Sequence, residues 1–130
     1  MGTDQYHEPP GELPAAARTF ARLCTSLIEE AEAIGWYEQR LAVEADRQAR
    51  GIMRDAQEEE FKHFSMDLEF LLRRSPAWRE IASGILFTEG DIVELGEEAE
   101  EETAEGEAAR GAPLAGGESL GIGSLREHEP

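Results

Sequence analysis

Residues 20–41 read FARLCTSLIEEAEAIGWYEQRL, and residues 53–71 read MRDAQEEEFKHFSMDLEFL. In the first stretch Phe20, Leu27, Ile34 and Leu41 recur every seven residues, with Leu23 and Tyr37 on a neighbouring stripe. Apolar residues at that spacing share one side of a helix, here sustained for more than five turns. In the second stretch Phe61, Phe64, Leu68 and Leu71 form one stripe, and Met53, Ala56 and Phe70 form another beside it. Asp46 is placed to cap a second helix running to about Arg74, which Ser75-Pro76 ends. Residues 77–86 form a short third helix, weakened at Gly84. No segment alternates convincingly as a strand. The fold class is all-α, an antiparallel two-helix hairpin with a short helix appended. One partner helix cannot cover both stripes of the second helix, so the hairpin is expected to be half of a four-helix bundle completed by dimerisation.

Outside that hairpin the composition changes. Pro9, Pro10, Gly11 and Pro14 make residues 1–13 an extended segment, and the helical domain occupies 14–92. The 130 residues carry 29 acids and 12 bases, a net charge of −17. Most of the excess lies late in the chain, where residues 94–107 hold eight Glu and no base. With Leu95 as its one large apolar residue, this stretch is expected to stay disordered, as an acidic linker over 93–118. A charge of this sign excludes nucleic acid and anionic membrane as partners and favours cations. No apolar run reaches the length of a membrane span, and no N-terminal stretch reads as a signal peptide. The single Cys24 rules out an internal disulfide and suits a reducing cytoplasm, where it is expected to be a small buried hydrophobe.

Polar residues interrupt the apolar stripes at telling places. Glu30 interrupts the stripe through Leu23 and Tyr37 at its middle, and Glu60, His63 and Asp67 interrupt the stripe through Met53, Ala56 and Phe70. Glu60 and His63 stand three apart and share a side of their helix. Glu30 and Glu60 lie 16 and 14 residues from the turn at Asp46, so an antiparallel pair brings them level. An unpaired carboxylate at a buried position is costly, and it must be neutral, paired or bound to metal. Carboxylate with imidazole suits iron or manganese. Because Glu is 24 of the 130 residues, Glu-x-x-His alone is a weak motif, and a solvated His63 beside acidic surface is its other reading. Di-iron bundles use two Glu and two Glu-x-x-His pairs from four helices. This chain carries one of each, half a site, and a two-fold dimer would supply the rest.

At these residues the sequence resembles the encapsulated ferritins, ferritin-like cargo proteins of encapsulin nanocompartments. The resemblance runs over about residues 6–92, through His7-Glu8-Pro9, Glu29-Glu30-x-Glu32-x-x-x-Trp36-Tyr37, Glu58-Glu59-Glu60-x-x-His63 and Leu86-Phe87-Thr88-Glu89. It resumes in residues 119–130, where Leu120-Gly121-Ile122-Gly123-Ser124-Leu125-Arg126 looks like the peptide that docks cargo into the encapsulin shell. The resemblance implies a ferroxidase di-iron centre, two iron ions per dimer interface, from Glu30, Glu60 and His63 of two chains. Glu30 would bridge the irons and Tyr37 would lie near them. It implies an outer metal site at Glu29, Glu32 and Trp36, and a ring of dimers, typically a decamer. Phe61 and Lys62 stand where more acidic character is expected, and Phe64 and Phe70 where Ala and Trp are expected. These departures bear on the packing around the centre and leave the ligand set intact.

The functional expectation is a ferroxidase that oxidises Fe(II) to Fe(III) with dioxygen, inside an encapsulin compartment in the cytoplasm. Leu120, Ile122 and Leu125 would enter pockets on the shell protein at the end of the acidic tether. The alternative is a non-enzymatic metal buffer or helical adaptor carried in the same shell. A zinc hydrolase is the poorest reading, since the helical region has one His and no His-Glu-x-x-His.

Overall fold

The computed structural model describes residues 4–111, which contain helices and no strand. Helix α1 spans Ala15–Val43, α2 Arg47–Arg73, α3 Pro76–Ser83 and α4 Ile92–Gly111, with a 3-10 turn at Pro10–Glu12 ahead of α1. Contacts divide the chain into two compact units at Leu71–Leu72.

In the first unit α1 and α2 form the expected antiparallel hairpin. The turn between them is set locally. The Asp46 side chain accepts the Ala49 amide at 2.8 Å, capping α2, and the Asp46 amide donates to Glu44 Oε2 at 2.9 Å. Arg50 then reaches back from the first turn of α2, donating to the carbonyls of Leu41 and of Glu44, the latter at 3.1 Å. Farther from the turn, Gln57 donates to the Ile34 carbonyl at 3.3 Å and to Glu38 Oε1 at 2.9 Å. Contacts thus step backward along α1 as they step forward along α2, which defines the antiparallel register. At the other end of α1, Arg18 donates to the carbonyls of Leu13 and Pro10, tying down the N-terminal turn.

The hairpin core is thin. Leu41, Gln57 and Leu71 are buried, while Phe20, Leu23, Leu27, Ile34, Tyr37, Phe64 and Leu68 are only half-buried. Cys24 is half-buried, and burial pushes its thiol up.

In the second unit α4 packs on α3, and this corrects the expectation of a structureless linker from residue 93. Residues 92–111 are helical, with the Asp91 side chain accepting the Glu94 amide at 2.9 Å as a cap. Gly90, at φ +113, makes the turn that leads into it. The contact face is built from small residues. Ala99 and Thr103 are buried, and a Cβ at Gly84 would come within 2.7 Å of the Ala99 Cβ. Arg110 pairs with Glu80 at 3.7 Å. An absence of large apolar residues therefore did not mean an absence of packing. Gly96, Ala99 and Thr103, at helical spacing, let two backbones approach closely, and Glu is a good helix former on the outer faces. No helix among the described residues is long and apolar enough to cross a membrane.

Candidate metal centre

The site lies within the first unit, near the middle of both long helices. Helical spacing puts Glu60 and His63 on one side of α2, and the antiparallel register brings Glu30 of α1 opposite them. One donor atom from each of Glu30, Glu60 and His63 lies within 4.8 Å of the other two. Ligands around a single ion at about 2.1 Å from each stand roughly 3–4 Å apart, so small side-chain movements would close this set on a cation. His63 Nδ1 is 3.5 Å from Glu60 Oε1, and its Nε2 is 3.9 Å from Glu59 Oε1. The His63 side chain is 45% exposed and that of Glu60 25%, so the cluster opens toward the surface of the chain.

Electrostatics single out Glu30. Burial, then the neighbouring Asp67 carboxyl, then Glu60 and Glu29, push its pKa up to about 7. Its Oε1 and Asp67 Oδ2 are both buried without a hydrogen-bond partner. A carboxyl crowded by other carboxyls and short of donors is relieved by a proton or by a cation. Hard oxygens with one imidazole suit a divalent ion of the iron or manganese kind.

The other expected residues fall into three groups. Tyr37 is half-buried two turns beyond Glu30, with the Arg40 guanidinium 5.1 Å from its ring centroid. Glu29, Glu32 and Trp36 are exposed, Trp36 at 53%. Leu120, Ile122 and Leu125 lie outside the described residues. Of the residues that depart from the expected family pattern, Lys62 faces outward and pairs with Glu59 at 2.9 Å, holding that carboxyl below its usual range. Two residues were not singled out from sequence as part of the site. Asp67 faces Glu30, and Gln57 braces the hairpin one turn from Glu60. Their spacing from the Glu60–His63 pair, three before and four after, is the signal that could have found them.

A long antiparallel helix pair with two carboxylates and an imidazole at mid-height is half of a ferritin-like bundle. Residues 5–89 match the family model described as EncFtn-like, and the chain belongs to that family. It is 39% identical over 129 residues to a protein of Rhodospirillum rubrum named encapsulated ferritin-like protein, covering 97% of this chain and 91% of that one. It is 42% identical over 111 residues to a Thermotoga maritima protein named ferritin-like protein, covering 85% of this chain and 94% of its relative. Among solved structures, a crystal structure of a Nitrosomonas europaea protein superposes with a TM-score of 0.66 at 36% identity. That match covers 68% of this chain and 98% of the other.

Proposed function

We propose that this protein is a ferroxidase, oxidising Fe(II) to Fe(III) with dioxygen at a di-iron centre shared between two chains. The observation that carries the reading is the convergence of Glu30, Glu60 and His63 within 4.8 Å on a face that stays open. Three protein donors are too few for an iron that takes about six, and the half-buried apolar stripes need covering. A second copy related by a two-fold axis supplies both. Glu30 bridges the pair, and Tyr37 lies along the same helix toward the turn. Glu29, Glu32 and Trp36 gather metal on the exposed flank of α1.

Fe(II) is the substrate, and each ion gives up one electron. Dioxygen accepts two electrons and two protons per pair to become hydrogen peroxide, or four of each from two pairs to become water. The chain's own contribution is to hold negative oxygens around the ions. By Coulomb's law these stabilise the trivalent product more than the divalent substrate. The acidic surface raises the local Fe(II) concentration.

Its family implies association with an encapsulin shell, and in this reading the shell stores the ferric mineral. Dimers assemble into a ring, a decamer, and Leu120, Ile122 and Leu125 form the docking peptide. The test is stopped-flow oxidation of Fe(II) added to the assembled protein, with mass and iron content measured before and after. Stoichiometric binding of Fe(II) by the assembly without accelerated oxidation would favour a non-enzymatic metal buffer, a role the eight-Glu stretch of α4 would also suit.

A further inference from the structure

Asp67 is a half-buried carboxylate, with Oδ2 shielded from solvent, that the three-donor cluster does not use. It stands one turn beyond His63 on the same side of α2, and its carboxyl is within hydrogen-bonding reach of Glu30 on α1. It is not one of the three residues whose donors lie mutually within 4.8 Å. Each of these two carboxyls keeps an oxygen, Glu30 Oε1 and Asp67 Oδ2, that is sealed from solvent and meets no donor. The basic side chains whose partners are seen in this unit are engaged elsewhere: Lys62 with Glu59, Arg40 over Tyr37, Arg50 and Arg18 with backbone carbonyls. Two facing carboxylates without a donor oppose folding, and a positive charge between them reverses that.

We propose that Asp67 is a further ligand of the metal centre, binding through Oδ2 a cation that Glu30 Oε1 also holds. The inference rests on the reading of Glu30, Glu60 and His63 as a metal centre. It adds one charged oxygen per chain to the donor set.

The experiment is an anaerobic titration of full-length protein with Co(II), following the visible absorption that reports coordination, beside thermal melts of the metal-free protein. Wild type is compared with Asp67→Asn and with Asp55→Asn, an exposed carboxylate on the same helix that controls for net charge. Asp67→Asn is expected to bind Co(II) about tenfold more weakly with a changed spectrum. At pH 8 and without metal it is expected to melt higher than wild type, because a carboxylate–carboxylate repulsion is gone; Asp55→Asn matches wild type in both. Asp67→Glu, which keeps the carboxylate, restores most of the affinity. Unchanged affinity and spectrum in Asp67→Asn overturn the ligand role while the three-donor centre stands. A metal-free Asp67→Asn that melts lower, or does not fold, also overturns it, since that marks a packing role. Wild type that takes up no Co(II) brings down the metal-centre reading, and this inference with it.

Discussion

The Gln57 side-chain amide donates to Glu38 Oε1 at 2.9 Å across the hairpin, one turn from the residues proposed to hold metal. Gln57 is 2% exposed, and the same nitrogen reaches the Ile34 carbonyl, so it grips α1 between Glu30 and the turn. Antiparallel helices with half-buried apolar stripes can slide against each other at little cost. A buried polar contact of fixed geometry cannot. This contact sets which residue of α1 meets Glu60 and His63. Gln57→Ala is therefore expected to cost about 1–3 kcal/mol in urea unfolding and to weaken Co(II) binding, although Gln57 holds no metal itself.

Removing either of two proposed donors should separate chemistry from fold. His63→Ala and Glu30→Ala are each expected to abolish fast oxidation of added Fe(II) while circular dichroism shows helical content largely intact. Unchanged oxidation rates in both variants would refute the assignment.

The raised pKa of Glu30 makes the metal-free protein sensitive to pH in a defined direction. Folding raises this carboxyl from an ordinary 4.5 to about 7, so the folded state binds the proton more tightly than the unfolded state. The resulting stabilisation is fully present below pH 4.5 and is lost as pH rises through about 7. Between pH 8 and pH 5 wild type should gain thermal stability relative to Glu30→Gln, whose amide does not titrate. Metal at the proposed centre should act oppositely, because it needs the ionised carboxylate. The rise in melting temperature on adding Co(II) should shrink as pH falls through 7.

The α3–α4 contact predicts a steric effect with a built-in rescue. Gly84 has an ordinary φ of −83, so alanine there meets no backbone penalty, yet its Cβ would lie 2.7 Å from that of Ala99. Gly84→Ala is expected to loosen α4, seen as loss of helix and faster proteolysis within residues 92–111, at about 1–3 kcal/mol. Adding Ala99→Gly should restore protection.

Deleting residues 119–130 should leave Fe(II) oxidation intact and remove shell loading. Normal co-purification of the truncated protein with encapsulin would end the docking proposal.

The hairpin, its cap at Asp46 and the Glu-x-x-His pair were legible in the chain because each depends on residues within a turn or two of one another. Helical period places Glu60 beside His63 whatever the rest of the molecule does, and equal distances from the turn bring Glu30 level with both. The helix over residues 92–111 escaped that reading because it relies on close approach of Gly84 to Ala99, not on large apolar side chains. The facing of Asp67 on Glu30, and the grip of Gln57 on α1, likewise followed only from the tertiary structure. Side-chain period is a property of one helix; the register between two helices, and the burial that deprives a carboxylate of water, exist only once both have packed.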